Sequence, residues 1–470
     1  MAMADCQRCC TLFDSSKTSS ITDARATAAA VGRLARALPR LELNFDVNKT
    51  LIMCDPGGGK SFDDMLNSLL SECCWGNVVP SSSPDSSASW VPVEPYVASS
   101  SPVGGAGACC YSDFIEGTLL PFRRSSGDAD DAEVMAHNKR MREERRRKKT
   151  SFCAEGEPGI VFSKEIEKLK EALTIPAGKP RDAAIRAAPT LSGGLKEMFS
   201  SGMHFIVPAF FELLIELAVR RRQDFRIVFR TFGIDIHEIS EELNLFCEGL
   251  HPLSPEGVRL DGSDPAYPDL RIVSSQQHAS YFRNGDGPTG LHCAFGTLEQ
   301  APLDLNGLSF QDYWTKQPKE KKRRSDTAGN IADVDDESNG ESIMPVSTFQ
   351  GVRTTLIERL RDYNVLAMRD YYPYWNRRAE ADDAGKVLLV DTADRDWAQI
   401  FFDDNVERDY AHIVDCRDLR SEGAPITFEN SSGKYLARSE PYSAITELNY
   451  FVNLVDSCVR KQHVRSLSDY

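Results

Sequence analysis

The chain has 470 residues, a formal net charge of −15 and a hydrophobic share of 41%. The length allows two or three domains, but the apolar share is low for a fully folded chain of this size. The negative charge argues against general nucleic-acid binding by the folded surface. No run reaches the roughly 18 apolar residues that a membrane span requires.

The 13 cysteines show no disulfide framework, and no secretory signal peptide is recognisable. Reduced thiols in an intracellular compartment, cytoplasmic or nuclear, are therefore expected. The Ala- and Arg-rich stretch 24–40 hints at an organelle transit peptide. Asp5, Asp14 and Asp23 count against one, because transit peptides are poor in acids.

Three stretches have a composition that predicts mobile, partly disordered insertions without a core. Residues 77–112 are dominated by Ser, Pro, Gly and Ala, residues 124–150 by charge, and residues 315–344 by a basic block followed by an acidic one. The basic blocks Lys139–Lys149 and Lys316–Arg324 fit solvated charge runs, and also nuclear-import signals or phosphate-binding patches. Such insertions can recruit protein partners.

The remaining sequence alternates apolar strand-like runs with amphipathic helical patterns, which predicts an α/β fold. Short apolar runs between helices indicate a parallel sheet that helices cover on both faces. The expected strands are Leu41–Phe45, Phe225–Thr231 and three acid-ended runs, Lys386–Asp391, Gln399–Asp404 and Ala411–Asp415. The expected helices are one capped by Ser61, then Phe162–Leu173, Pro208–Arg221, Asp235–Phe246, Val352–Leu366 and Ala444–Val459.

These elements predict one discontinuous core domain. It consists of residues 41–76, 158–250 and 347–460. Residues 1–40 form an N-terminal extension that we expect to be disordered, and 461–470 form a tail. Residues 77–157 are a low-complexity insertion, and 251–346 are an insertion or cap that contains the disordered charged stretch.

Acidic and hydroxyl side chains stand at the ends of several predicted strands. Asp46 ends the first strand, Thr231 the second, and Asp403 ends a late one. The C-terminal ends of parallel strands converge on one edge of a sheet, where α/β proteins bind ligands. We therefore expect these three residues to meet, although they are far apart in sequence. Taken alone, Asp46 fits a turn or helix cap equally well, Asp403 fits a turn, and Thr231 fits a structural role better.

Four short motifs follow one another along the chain: Phe45-Asp-Val-Asn-Lys-Thr50, then Thr231, then Lys386, then the acidic pair Asp403-Asp404. This set resembles the haloacid-dehalogenase-like superfamily, whose core is a Rossmann-like fold. The resemblance covers residues 41–70, 205–250 and 350–420. Between Arg324 and Asp403, Lys386 is the only lysine.

The resemblance implies phosphoryl transfer to Asp46 as a covalent nucleophile, from a phosphorylated small molecule or protein. It implies Mg²⁺ held by Asp46, the Asn48 carbonyl and Asp403, with Asp404 in support. Thr231 would donate a hydrogen bond to a phosphoryl oxygen. Lys386 would balance the charge of nucleophile and phosphate.

Asn48 departs from the pattern of the family phosphatases. They have an aspartate here, which protonates the leaving oxygen and then activates water. A carboxamide cannot exchange a proton at neutral pH, and general acid–base catalysis contributes about 10²–10⁴-fold. A phosphatase-like hydrolase and a non-catalytic phosphate- or Mg²⁺-binding or scaffold protein therefore both remain open.

The run Gly57-Gly-Gly-Lys-Ser61 suggests a third function, that of a P-loop ATPase. The P-loop pattern needs a glycine where Cys54 stands, and a strand that leads directly into the loop. Here the polar run Asp46–Lys49 interrupts the apolar strand. A flexible loop near the mouth of the site fits these glycines better.

Overall fold

The computed structural model describes residues 39–53, 61–80, 87–105, 107–123, 131–316, 342–378, 380–394, 396–408 and 411–464. Several features predicted above lie outside these residues. They are the cysteines near the N-terminus, the stretch 24–38, Gly57–Lys60 and residues 317–341 with most of the second basic block.

The described residues form a mixed α/β fold. The strands, in chain order, are β1 Arg40–Asp46, β2 Trp75–Val79, β3 Ser89–Pro92, β4 Ala108–Cys110, β5 Phe225–Thr231, β6 His278–Arg283, β7 Leu291–Phe295, β8 Met344–Ser347, β9 Val365–Arg369, β10 Lys386–Val390, β11 Trp397–Asp403, β12 Val406–Arg408, β13 Ala411–His412, β14 Val414–Asp418, β15 Ala424–Pro425 and β16 Leu436–Arg438.

The helices are described in the same order, and two of them continue into a π-helical turn. They are α1 Phe62–Cys73, α2 Tyr111–Phe114 (continued by Ile115–Leu119), α3 Asp131–Thr150, α4 Ser163–Leu173, α5 Lys179–Ala187, α6 Gly193–Ser200, α7 Pro208–Ile215 (continued by Glu216–Arg221), α8 Ile236–Cys247, α9 Phe310–Lys316, α10 Phe349–Asp362, α11 Tyr372–Arg377, α12 Phe428–Ser431, α13 Pro441–Thr446 and α14 Tyr450–Val464. None of these helices is long and apolar enough to cross a lipid bilayer.

The large sheet has eight strands in the order β16-β11-β1-β5-β9-β6-β7-β8. Pairing from β16 to β6 is parallel, whereas β7 pairs antiparallel with both β6 and β8. The prediction of a parallel sheet is therefore corrected to a mixed sheet. The hairpin β6–β7 comes from residues 251–346, which the sequence assigned to an insertion or cap.

Both faces of this sheet are covered by buried side chains. In β9, Val365 and Ala367 belong to one apolar cluster, while Leu366 and Met368 belong to another. Successive side chains of a strand point to opposite faces, so the two clusters lie on opposite sides of the sheet. Helices α7, α8 and α14 contribute to the first cluster, and α10 to the second.

Helix boundaries differ from prediction at two places. The predicted helix Val352–Leu366 ends as α10 at Asp362, and its last residues open the strand β9. The apolar run Val365–Met368 is fully buried between β5 and β6, which favours the strand. The predicted helix Ala444–Val459 is interrupted after Thr446, because Glu447 adopts an extended backbone. The predicted N-cap Ser61 is confirmed, and it forms a capping box with Asp64.

Of the three acid-ended runs, only β11 joins the large sheet. β10 and β14 pair with each other in a separate three-stranded sheet, in which β14 also pairs with β15. Asp415 therefore lies inside β14, where it pairs with Arg283 and Arg417. Of the strands expected to share one parallel sheet, β10 and β14 therefore lie outside it.

The low-complexity segment contributes to the core, which corrects the expectation that it could not. Trp90, Tyr111, Phe114 and Phe152 are buried in the same cluster as β1. The rings of Tyr111 and Phe152 stack with centroids 4.7 Å apart. A few large aromatic residues spaced along a Ser- and Gly-rich segment thus suffice to anchor it.

Candidate active site

Asp46 and Asp403 leave two neighbouring strands at the same level. In the parallel pair β1–β11, Phe45 lies opposite Phe402, and an aspartate follows each phenylalanine. The two rings stack with centroids 4.4 Å apart and an interplanar angle of 9°. Since side chains alternate along a strand, both carboxylates point to the other face. Asp46 is 6% exposed and Asp403 is 0% exposed.

Lys386 reaches these carboxylates from the small sheet. It is the first residue of β10, and Leu388 and Val390 share its face of the strand. Those two residues join an apolar cluster with Phe401, which lies on the same face of β11 as Asp403. The packing of the two sheets therefore brings the lysine to the carboxylates.

The ammonium group of Lys386 donates hydrogen bonds to both carboxylates, to Asp46 Oδ1 and to Asp403 Oδ2 at 2.8 Å. Burial lowers the pKa of Lys386, but the charges of Asp403 and Asp46 outweigh burial and hold the pKa above its ordinary value. The lysine is thus a fixed positive charge between the two acids.

Asp404 completes a group of three carboxylates. One oxygen from each of Asp46, Asp403 and Asp404 lies within 4.8 Å of the others. Burial, together with the charges of Asp403 and Asp404, raises the pKa of Asp46 well above its ordinary value, although Lys386 opposes the shift. Burial also raises the pKa of Asp404 to about 7, against the opposing charge of Lys49.

The donor set of this group fits a hard divalent cation. Asn405 donates its backbone N–H to Asp403 Oδ1 at 2.9 Å and its side-chain amide to Asp404 Oδ1 at 3.0 Å, which fixes both carboxylates. Among the described residues, the Asn48 carbonyl accepts no hydrogen bond, so it is also available as a ligand. Carboxylate and carbonyl oxygens suit Mg²⁺, and a divalent charge would offset the excess of buried negative charge.

The loop after β1 is held in one conformation. Leu51 and Ile52 both donate their N–H groups to the Val47 carbonyl, and Lys49 takes a left-handed backbone with φ of 60°. Ile52 forms isolated bridges with Asn48 and with Ile206. The residues after the candidate nucleophile are therefore anchored to a distant part of the core.

Asn48 is oriented by a residue that the sequence did not single out, Asp235. The Asn48 amide Nδ2 donates to Asp235 Oδ2 at 3.0 Å. If the oxygen and nitrogen of the Asn48 amide were exchanged, its oxygen would face a carboxylate oxygen. The contact with Asp235 therefore determines the orientation of the amide. Asn48 Oδ1 is buried and has no partner among the described residues.

Thr231 lies at the end of β5, one residue beyond the register partner of Asp46. It is 1% exposed, and its hydroxyl accepts a hydrogen bond from the Gly233 N–H at 2.8 Å. A hydroxyl that accepts this bond still has its own proton to donate. Thr231 therefore stands at the predicted strand edge with a donor available.

A cavity of about 430 Å³ opens beside the carboxylate group. Asp404, Asn405 and Lys49 line it at the site, whereas Asp46 and Lys386 are buried and do not line it. Helix α3 supplies Lys149, the last lysine of the first basic block, to the same cavity. This block thus contributes to the wall of the cavity and is not only a solvated charge run.

Lys49 and Lys149 are connected through Glu72 of α1. Lys49 Nζ lies 2.8 Å from Glu72 Oε1 and 4.0 Å from Asp404 Oδ2. Lys149 Nζ lies 4.0 Å from the same Glu72 oxygen. Burial raises the pKa of Glu72, but Lys49 and Lys149 outweigh it and hold the pKa below its usual value. This chain of charges links the basic helix to the carboxylate group.

Comparison with known proteins found no matching family model, curated protein or solved structure. The geometry of the site therefore carries any functional conclusion.

The structure brings together Asp46, Lys386, Asp403 and Asp404, and it places Thr231 at the same sheet edge. Sequence reasoning missed Asp235, because an aspartate before a helical pattern is typical of an N-cap. No helix-capping hydrogen bond from its side chain is present, and the carboxylate turns to Asn48 instead. Lys49 and Glu72 were not predicted as site residues either, because nothing in the sequence except their charge distinguishes them.

Proposed function

We propose that this chain is a Mg²⁺-dependent phosphohydrolase-type protein with a haloacid-dehalogenase-like, Rossmann-like core. One observation carries the proposal. Asp46 and Asp403 end adjacent parallel strands, with Asp404 close by, and the ammonium group of Lys386 lies between the first two. Unrelated surface acids rarely gather in a buried group with a bridging lysine at the carboxyl edge of a sheet.

Asp46, Asp403, Asp404 and the Asn48 carbonyl would hold the ion. When bound, Mg²⁺ would offset the charge of the carboxylates and of a phosphate that approaches them. Lys386 would add a permanent positive charge at the same place, since its pKa is held above the ordinary value.

Asp46 would act as the nucleophile. A carboxylate oxygen of Asp46 forms a bond to phosphorus while the bond from phosphorus to the leaving oxygen breaks. The leaving oxygen then takes its proton from water, because the Asn48 amide has none to give. A second water would cleave the acyl phosphate and regenerate the carboxylate. The Thr231 hydroxyl would donate to a phosphoryl oxygen.

Phosphate esters with good leaving groups are the substrates that this site would serve best. They depart without protonation, so the loss of an acid at position 48 matters least for them. The substrate class is a phosphorylated small molecule or protein, whose leaving group would occupy the cavity lined by Lys49 and Lys149.

A second candidate function is binding of phosphate or Mg²⁺ without turnover. The contact between Asn48 and Asp235 favours it, because a tethered amide preserves the shape of the loop and removes the proton donor. A P-loop ATPase is the third and weakest candidate, and its lysine, Lys60, lies outside the described residues.

The decisive experiment is hydrolysis of an aryl phosphate by the full chain, with and without Mg²⁺. We expect Mg²⁺-dependent turnover that Asp46→Asn abolishes. Asp391→Asn is the matched control, because Asp391 also follows an apolar strand but pairs with Arg420 at a distance from the site. Binding of Mg²⁺ or phosphate without turnover would establish the second candidate. ATP binding that Lys60→Ala removes and Asp46→Asn leaves intact would establish the third.

A further inference from the structure

A second group of potential metal ligands lies in the core, outside the candidate active site. His204, Glu242 and His251 each offer one donor atom, and these atoms lie within 4.8 Å of one another. Their exposed fractions are 2%, 0% and 4%. His204 lies in the loop between α6 and α7, Glu242 on α8, and His251 in the loop that follows α8. Nothing in the proposed hydrolysis uses them.

We propose that His204, Glu242 and His251 form a structural zinc site. Two imidazoles and one carboxylate are a donor set that Zn²⁺ accepts, with a fourth position filled by water or by the second oxygen of Glu242. Mg²⁺ is a poor fit, because it prefers oxygen ligands throughout.

The charge of Glu242 supports the proposal. In the described part of the chain no lysine or arginine pairs with this carboxylate. Its hydrogen-bond partners are the His251 ring, with Nε2 at 3.0 Å, the Ile206 N–H at 2.8 Å and the backbone of Phe205. An ionised carboxylate without a cation is costly in a core of this kind. A divalent ion would supply the missing positive charge.

The two histidines are ready to act as ligands. Nδ1 of His204 is buried and has no hydrogen-bond partner among the described residues. Burial favours the neutral form of both rings and lowers the pKa of His204 and His251. Neutral imidazole is the form that binds metal.

One contact must change when the ion binds. Leu253 donates its N–H to His251 Nδ1 at 3.1 Å, which places the ring proton on Nε2, facing Glu242. A metal at Nε2 moves that proton to Nδ1 and releases the Leu253 amide. Zinc binding would therefore change the tautomer of His251, and the nitrogen chemical shifts of the ring would report this change.

A chain of contacts connects the proposed zinc site to the candidate active site. Glu242 accepts from Ile206, Ile206 bridges to Ile52, and Ile52 bridges to Asn48. A metal that fixes Glu242 therefore stiffens the loop that follows Asp46. The site is buried, and the rings of Phe199, Phe211 and Phe246 pack against His251, with the Phe211 centroid at 4.5 Å. Zn²⁺ would enter during folding and leave only when the core opens.

The test measures metal in the full chain, refolded with Zn²⁺ and then dialysed against EDTA. We expect about one zinc ion retained per chain. Glu242→Gln keeps the shape and an acceptor for Ile206, and it should lower the retained zinc by about tenfold or more. The double variant Asp46→Asn/Asp403→Asn should retain zinc as the native chain does, which separates this ion from one held at the active site.

Co²⁺ in place of Zn²⁺ gives an optical readout of the coordination geometry. Tetrahedral coordination produces strong visible absorption, whereas an octahedral carboxylate site absorbs weakly. Strong bands that persist in the Asp46→Asn/Asp403→Asn chain support the site. A folded native chain that retains neither zinc nor cobalt, and whose His251 keeps its proton on Nε2, overturns it. Neither result depends on whether the protein hydrolyses phosphate.

Discussion

Lys386 Nζ lies between Asp46 and Asp403 and donates to both, so one ammonium group stabilises two buried carboxylates. Removing one member of such a group leaves uncompensated charge in the core, at a cost of about 3–5 kcal/mol. We expect Lys386→Met to lower the free energy of unfolding by this amount in EDTA, measured by urea denaturation.

The matched control for this variant is Lys196→Met, which changes an exposed lysine on α6 and should alter stability little. Millimolar Mg²⁺ should restore part of the stability that Lys386→Met loses, because the ion replaces the missing charge. Equal stability of the two variants would show that the bridge does not hold the carboxylates.

Exchanging the amide at position 48 with the carboxylate at position 235 tests whether their contact explains why position 48 has no acid. Asn48→Asp alone sets two carboxylates 3.0 Å apart, where the amide now contacts Asp235. We expect it to destabilise the protein, since two acids at this distance cannot both ionise freely. The double variant Asn48→Asp/Asp235→Asn keeps one amide and one carboxylate in contact and should recover stability.

The exchanged pair also places a carboxylate on the nucleophile loop. Initial rates with an alkyl phosphate should rise by about 10²–10⁴-fold in Asn48→Asp/Asp235→Asn, and by less with an aryl phosphate, which leaves unprotonated. A fully folded double variant with native rates on both esters would argue for a binding protein.

Asp404 should make the metal-free protein less stable as the pH rises. Its pKa in the folded state is about 7, above the usual value near 4, so the folded state binds more protons between these values. The stabilising contribution is complete below pH 4 and is lost as the pH rises through 7. Asp404→Asn removes this titration.

The measurement for Asp404 is the difference in unfolding free energy between Asp404→Asn and the native chain, in EDTA. It should shift in favour of the variant by more than about 1 kcal/mol between pH 4 and pH 7, since each pKa unit corresponds to about 1.4 kcal/mol. With saturating Mg²⁺ the trend should reverse, because the ion binds the ionised form. A flat difference would contradict the raised pKa.

Gly233→Ala should disconnect Asp235 from Asn48. A Cβ at this position would lie 2.5 Å from Asp235 Oδ2 and 3.3 Å from Thr231 Oγ1. The carboxylate must move, and the Asn48 amide then loses its acceptor. We expect weaker Mg²⁺ binding by calorimetry with little change in the folded content. Gly117→Ala, where a Cβ meets open space, is the control. Equal affinity in both variants would show that the tether is dispensable.

Much of the candidate site could be predicted from the sequence, because the patterns that mark it lie within short segments. An apolar run that ends in an acid predicted both β1 with Asp46 and β11 with Asp403. The same signal also predicted the strands β10 and β14, but both lie in the small sheet, because a short apolar run does not say which sheet it joins. β9 was missed because its apolar run continues a helical pattern, and only its position between β5 and β6 decides between them.

Long-range contacts account for the rest. Asp235, Glu72 and Lys149 reach the site through packing between segments that are far apart in the chain, and no local pattern marks them. The aromatic residues that anchor residues 87–123 were hidden by the Ser- and Gly-rich composition around them. Composition averages over a segment, whereas a core needs only a few well-placed rings.

The parallel pairing of β1 and β11 ties the site to the completion of folding. Asp46 and Lys386 are 340 residues apart, and the stack of Phe45 on Phe402 sets the register that aligns the two carboxylates. A slip of one residue would turn Asp403 to the opposite face of the sheet. A ribosome must therefore release most of the chain before an ion can bind between Asp46 and Asp403, and that ion would stabilise only chains in which β1 and β11 are correctly paired.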